Sequence, residues 1–452
     1  MEMNMLTREE IIEVLAPYNL WGGREWKAVM REKYISSIEK RLPHGAVALI
    51  GTRRSGKTTL ARLFLMRSVE AGNSPDATLY VNLEDPRFSP YLKPELLEEI
   101  FSAYRTYVYS GRDPIVVLDE VQNVPGWERW VRKVLDLGEA RVIVTGSTSS
   151  LLRSELSTLL TGRVLPIEVF SLSFEEFLAF RGFSGDIKSI LGKKRRVEAL
   201  LREYLEFGGF PQVVLTEDES LRGELLRELF EGVVLRDIAY RHGFRDARTV
   251  KIVAELALSR FSSLVSVSRL RNELAGIVGR KVSPNFVDAV LDAMDEAYLS
   301  FRVPVLSPKV KDAMRYPKKL YAIDTGIANI VGIRFTENVG RLAENAVARH
   351  LRQRFGEVYY YRGKREVDFI VKEGTEVTRA IQVSWDIDES WDREVEGLVE
   401  AAKTFGLMEG TIITGWKSCE EKIGGIAVKC IPLWRFLLSL DTNPQPSRPH
   451  RP

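Results

Sequence analysis

Eight residues constrain this chain more than any others: Gly51-Thr52-Arg53-Arg54-Ser55-Gly56-Lys57-Thr58, a G-x4-G-K-[ST] run. It follows the apolar stretch Ala46-Val47-Ala48-Leu49-Ile50 and leads into the helix-like Thr58-Thr59-Leu60-Ala61-Arg62-Leu63-Phe64-Leu65. A strand, a glycine-rich turn and a helix in that order surround a phosphate with backbone N–H groups at a helix N-terminus. Gly51 and Gly56 permit angles and close approaches that a Cβ would obstruct. The expected nucleotide cradle therefore runs through Gly51, Thr52, Arg53, Arg54, Ser55, Gly56, Lys57, Thr58 and Thr59. Lys57 is expected to neutralise the terminal phosphates, and the Thr58 hydroxyl to complete a Mg2+ shell.

A chain of 452 residues is too long for one core, so two to four domains are expected. With 45% hydrophobic and 28% charged residues it has the composition of a globular protein, and no apolar run is long enough to span a membrane. The acidic N-terminus lacks the basic-then-apolar order of a secretion signal, which points to the cytoplasm. Cys419 and Cys430 are the only cysteines, and His44, His242, His350 and His450 are scattered. Neither a disulfide framework nor a zinc site is expected, and the two thiols should be buried or idle. A net charge of +3 is too small to mark a nucleic-acid binder without local patches.

Hydrophobic patterning divides the chain. Residues 1–45 look helical and amphipathic. Strand signals then fall at 46–50, 77–83, 114–118, 141–145 and 164–169, with helical patterns around 94–101 and 127–135 between them. This alternation predicts a parallel sheet covered on both faces. The first domain, a parallel-sheet P-loop ATPase, is expected over 1–173. Helix periodicity alone dominates 174–241, which fits a helical lid carrying the basic run Lys193-Lys194-Arg195-Arg196. Three helices and then strand candidates at 300–303 and 319–323 suggest a winged helix over 242–330. A further α/β domain is expected over 331–440, in the order helix, three strands, helix, strand. The proline-rich tail 441–452 has almost nothing apolar to bury and is expected to be disordered.

The segment Ile115-Val116-Val117-Leu118-Asp119-Glu120 delivers two carboxylates to the C-terminal end of a strand, where ligands collect in open parallel sheets. Asp119 is expected to hold Mg2+ through its water shell, and Glu120 to orient and deprotonate the attacking water. Val142-Ile143-Val144-Thr145-Gly146-Ser147 ends another strand; Ser147 is the candidate sensor of the γ-phosphate, with Thr145 or Thr148 as substitutes. Arg163, in Leu160-Thr161-Gly162-Arg163, is the candidate second cation on the transferring phosphoryl, acting within the chain or from a neighbouring copy in a homo-oligomer. The chain contains no Asn-Lys-x-Asp quartet for reading guanine, which favours ATP over GTP.

On these motifs, together with Phe174-Glu175-Glu176-Phe177 and Gly208-Gly209-Phe210-Pro211, the sequence resembles the archaeal and bacterial AAA-type ATPases that carry an uncharacterised C-terminal nuclease-like domain. The resemblance implies that Gly208 to Pro211 lie in the lid, with Pro211 against the nucleotide; a plain glycine-proline turn is the alternative. The last domain looks like the PD-(D/E)XK nuclease fold, in which a helix Glu and strand carboxylates hold Mg2+ beside a Lys. Glu344 and Asp368 match that pattern. Gln382 stands where an acid is expected and Ser384 where the Lys should be, so cleavage is doubtful.

The candidate recognition helix of the winged helix carries Asp288, Asp292, Asp295 and Glu296 with no Lys or Arg, which opposes insertion into a DNA groove. Basic residues gather instead in the following wing: Arg302, Lys309, Lys311, Arg315, Lys318 and Lys319. The expected function is an Mg2+-dependent, ATP-hydrolysing switch or motor acting on DNA, through that wing, or on a protein partner. The alternatives are an ATP-regulated nuclease and a nucleotide-binding scaffold with little turnover.

Overall fold

The computed structural model describes residues 6–146, 162–183, 190, 192–307, 316–331, 339–388 and 390–438. Two compact units emerge: one comprises residues 1–170 with 296–298, the other 171–295 with 299–452.

The first unit is built on five parallel strands: β1 (Ala46–Ile50), β2 (Thr78–Asn82), β3 (Ile115–Asp119), β4 (Arg141–Gly146) and β5 (Val164–Glu168). Their order across the sheet is β2-β3-β4-β1-β5. All five residues of both β1 and β3 are buried, as Val/Ile/Leu-rich strands covered by helices on both faces must be. The helix Lys57–Glu70 follows β1 and packs Leu60, Ala61, Phe64 and Leu65 into the core with Val47 and Leu49. Pro94 begins the helix Pro94–Tyr107, where its missing N–H costs nothing.

Among the described residues the N-terminal region holds two α-helical pieces, Arg8–Leu15 and Glu32–Arg41, joined by two short 3-10 turns and irregular chain. The break has a tertiary cause. Asn19, 1% exposed, acts as an extra strand edge: its Oδ1 accepts from the Tyr80 N–H (2.7 Å) and its Nδ2 donates to the Tyr80 carbonyl (2.9 Å). A continuous helix would pull that amide away from β2.

In the second unit the helices Phe174–Phe180, Lys194–Phe207, Pro211–Leu215 and Glu219–Gly232 come first, the last running into a π-helical turn, Val233–Tyr240. The helix Ala247–Leu258, strand β6 (Ser263–Leu264), helices Val267–Val278 and Pro284–Glu296, and strands β7 (Ser300–Val303) and β8 (Lys319–Ala322) follow. These strands form an antiparallel sheet ordered β6-β8-β7. After the helix Val339–Phe355 come β9 (Val358–Arg362), β10 (Glu366–Glu373) and β11 (Glu376–Val383), the helix Trp391–Phe405, then β12 (Glu409–Thr414), β13 (Cys419–Ile423) and β14 (Ile426–Pro432). They make a six-stranded mixed sheet, β13-β14-β12-β11-β10-β9.

The expectation of idle thiols is corrected here. Cys419 and Cys430 face each other across the β13–β14 hairpin with Cα atoms 4.7 Å apart and are joined as a disulfide. The turn is Gly424-Gly425, both at positive φ, as a two-residue hairpin turn requires.

Candidate functional site

The phosphate loop hangs between β1 and the helix Lys57–Glu70. A Cβ on Gly51 would lie 2.2 Å from the Val169 carbonyl oxygen, so only glycine lets the loop leave β1 along this path. The buried Lys57 ammonium donates to the carbonyls of Gly51 (3.0 Å) and Thr52 (2.9 Å). From the N-terminal segment, Arg31 braces the loop: its guanidinium donates to the carbonyls of Ser55 (3.0 Å) and Phe170 (3.1 Å) and lies over the Tyr34 ring. No motif pointed to Arg31.

Strand order decides what meets the loop. Because β4 separates β1 from β3, the end of β4 lies between the loop and the acid-bearing strand. Thr145 uses that position, donating to Asp119 Oδ1 (2.6 Å) while its hydroxyl oxygen accepts from the Glu120 N–H (2.9 Å). Thr58 donates to the Asp119 carboxylate at 2.9 and 3.0 Å. Lys57, Thr58, Asp119, Glu120 and Thr145 are thus brought together. Glu120 adopts φ 55°, and its carboxylate accepts from the Gln122 amide.

Sequence reasoning missed Tyr80. Its hydroxyl donates to Asp119 Oδ2 (2.6 Å) and accepts from Arg62 (2.8 Å), whose guanidinium lies over the Tyr80 and Trp26 rings. Burial, followed by the charge of Asp119, raises the phenol's pKa far above its usual value, so it remains a donor. Its strand reads Thr78-Leu79-Tyr80-Val81-Asn82, and nothing in it sets Tyr80 apart from a core tyrosine.

Ser147 lies outside the described residues. Arg163 precedes β5 at the N-terminal end of the sheet: its carbonyl accepts from the Ala46 N–H, and its side chain pairs with Asp136. The five residues of β1, about 16 Å of strand, separate it from its own phosphate loop, which corrects the reading of Arg163 as a cation acting within the chain. Pro211 opens the helix Pro211–Leu215, and the glycines before it have a packing role. A Cβ on Gly208 would fall 1.7 Å from Asp324 Oδ1, and the Gly209 N–H donates to Asp324 Oδ2 (2.9 Å).

The second unit holds a buried acidic cluster. Glu344, from the helix Val339–Phe355, and Asp368, from β10, converge on one cation; Gln382 and Ser384 do not supply the missing charges. Gln382 accepts from the Asp368 N–H (3.0 Å) and donates to Glu394 (2.6 Å), while Ser384 shares a hydroxyl contact with Ser390 (2.8 Å). The cation comes from β8. Lys319 Nζ lies 2.7 Å from Asp368, 2.8 Å from Glu366 and 3.4 Å from Glu344, with its side chain only 4% exposed. Burial opposes the charge on Lys319, but the three carboxylates outweigh it and raise its pKa. Burial, with Asp368 adding to it, pushes Glu344 up to about 8.

Lys319 is therefore not a wing residue open to DNA. Arg302 is likewise held by Asp295 (2.6 Å) and by Asp292, with its side chain 12% exposed. Lys318 is exposed; Lys309, Lys311 and Arg315 lie outside the described residues. The basic wing shrinks accordingly.

Comparison with known proteins supplies the wider setting. The uncharacterized protein MJ1544 of Methanocaldococcus jannaschii is 30% identical over 448 residues, covering 96% of this chain and 97% of its own. The chain belongs to that protein's family. An uncharacterized protein of Haemophilus influenzae is 27% identical over 413 residues, covering 90% of this chain and 98% of its own. Family models match residues 43–178 as an AAA domain, 198–337 as a domain of unknown function (DUF8612) and 339–436 as another (DUF4143). Among solved structures, the Aeropyrum pernix ORC1 protein in complex with DNA matches at 15% identity and a TM-score of 0.32, over 68% of this chain and 92% of that one. AMPPCP-bound DnaA from Aquifex aeolicus matches at 13% identity and a TM-score of 0.27, over 62% and 92%. Likeness that slight carries nothing across.

The family's AAA domain is a nucleotide-binding P-loop fold, and the loop fits such a ligand. Thr52 Oγ1 and Ser55 Oγ are buried without a hydrogen-bond partner, in residues 1% and 0% exposed. Buried hydroxyls left unpaired are costly, so their presence in this loop favours an incoming acceptor. Among the described residues no helix is long and apolar enough to cross a membrane.

Proposed function

We propose that this protein binds ATP with Mg2+ and hydrolyses it, working as a switch or motor on DNA or on a protein partner. The observation that carries the reading is Asp119: its carboxylate is bonded to Thr58 of the phosphate loop and to Thr145, which also fixes the Glu120 backbone. Thr58 and Asp119 are the residues to hold the metal, which when bound neutralises phosphate charge. Lys57 exchanges loop carbonyls for phosphate oxygens, and Glu120 takes the proton of the attacking water. Ser147, with Thr145 or Thr148 as substitutes, is the proposed contact to the terminal phosphate. Arg163 serves only from a neighbouring copy.

The order helix, strand, helix, helix, strand, strand over 247–322 supports a winged-helix reading of that segment. Its acidic helix is occupied by Arg302, and two of its basic residues are buried or paired, which favours a protein partner over a DNA groove for this surface. ATPase rates with and without DNA separate the two.

Turnover is the first test. Lys57→Ala should lose ATP affinity, whereas Glu120→Gln should bind ATP and turn over at least about 100-fold more slowly. Equal rates for wild type and Glu120→Gln would remove Glu120 from its role, and ATP binding without measurable turnover by wild type would leave a nucleotide-binding scaffold.

A further inference from the structure

Lys319 is placed by its strand, not by chance flexibility. It opens β8, the central strand of its sheet, paired with Val303 on one side and Leu264 on the other. Tyr321, two residues on and so on the same face, donates its hydroxyl to Glu344 Oε1 (2.7 Å). Two side chains of one strand thus enter the acidic cluster together.

The cluster's chemistry matches an ammonium. Lysine has three N–H donors, and three carboxylates, of Asp368, Glu366 and Glu344, surround Nζ. The second Asp368 oxygen is spent on the Val383 N–H (2.9 Å), which fixes the carboxylate's orientation toward Lys319. Gln382, neutral and bonded at both ends of its amide, adds no further charge that would call for a second cation. Among the described residues no group of three or more His, Cys, Asp or Glu is arranged to hold a metal ion.

We propose that this cluster carries its cation built in: the Lys319 ammonium fills the place that a divalent metal would take between Glu344 and Asp368, so the protein binds no metal there while β8 stays docked. The site is a latent divalent-cation site, closed by a residue of the neighbouring sheet. Removing the ammonium leaves the largely buried Glu344 and Asp368, with the exposed Glu366 at their edge, without their cation, and the repulsion among them creates a demand for a replacement. The cluster is independent of ATP hydrolysis, because none of its residues belongs to the phosphate loop.

The test is Mn2+ binding to nucleotide-free full-length protein, followed by calorimetry and thermal shift. Lys319→Met keeps most of the side chain's length, one atom short of lysine, and removes its charge. It should take up one Mn2+ per chain at concentrations at which wild type takes up none, because a neighbouring cation no longer opposes the metal. Mn2+ should also raise its melting temperature, and Asp368→Asn added to it should abolish both effects. Lys319→Arg, which keeps the charge, should behave as wild type. Folded Lys319→Met that takes up no Mn2+ overturns the proposal. So does wild-type protein that binds one Mn2+ lost on Asp368→Asn, or that cleaves DNA or RNA in Mn2+ and loses cleavage on Lys319→Met, since the ammonium would then work beside a metal. If circular dichroism finds Lys319→Met unfolded, wild type and Lys319→Arg decide alone. No uptake by either supports the proposal, and Asp368-dependent uptake by either refutes it.

Discussion

Three hydroxyls, from Thr58, Thr145 and Tyr80, converge on the single carboxylate of Asp119, and each arrives from a different element. Thr58 and Thr145 come from motif positions, but Tyr80 comes from β2 and is itself held by Arg62 and by the Asn19 bonds to its backbone. Tyr80 therefore transmits the order of the N-terminal segment to the acid proposed to hold Mg2+. Tyr80→Phe removes one donor from Asp119 and leaves Arg62 without that acceptor. Partners of a metal-holding group commonly set its affinity by about tenfold or more, so the Mg2+ concentration for half-maximal ATPase rate should rise by about tenfold. An unchanged Mg2+ profile would reduce Tyr80 to a packing residue. The candidate site was legible at Gly51 to Thr58 and at Asp119-Glu120 because those groups are consecutive in the chain. Tyr80 and Arg31 were not, since nothing local distinguishes them from a core tyrosine and a surface arginine.

At the scale of elements, Gly208 shows how a loop of the second unit is fixed. Its backbone, φ 74° and ψ −161°, lies in a region that essentially only glycine enters, and Asp324 closes over it. Asp324 also accepts from the Ser171 hydroxyl (2.6 Å), so one buried carboxylate joins the start of the unit, the Gly208-Gly209 turn and the chain after β8. Gly208→Ala should destabilise the protein by about 3 kcal/mol, combining backbone strain with a displaced buried carboxylate. Gly232→Ala is the control: that glycine ends a helix with helical angles and open space where a Cβ would go, so it should be neutral or gain up to about 1 kcal/mol. Urea titration of the two variants separates them. The elements themselves were readable where apolar runs are long. The two-residue strand β6 and the β13–β14 hairpin were not, although Gly424-Gly425 midway between the cysteines was a hairpin signal.

For the whole molecule, Arg163 sets the question of assembly. Since it lies at the end of its sheet opposite its own phosphate loop, it can serve catalysis only through another copy. Arg163→Ala should leave turnover unchanged in dilute protein and remove any rise in specific activity with protein concentration; a loss of turnover in dilute monomer would contradict this. The sequence alone determined the strand, loop and helix that cradle phosphate, because that chemistry is written in neighbouring backbone groups and needs no distant partner. It also determined the alternation that makes a parallel sheet and the acids that end β3. Tertiary structure alone decided where single charges go. Lys319 reads as one of six basic wing residues, yet meets Asp368 across 49 residues of sequence, and the Gly209 N–H meets Asp324 across 115. A charge reveals its sign in the sequence, but its partner and its burial depend on which strands lie side by side, and only the packed sheets settle that.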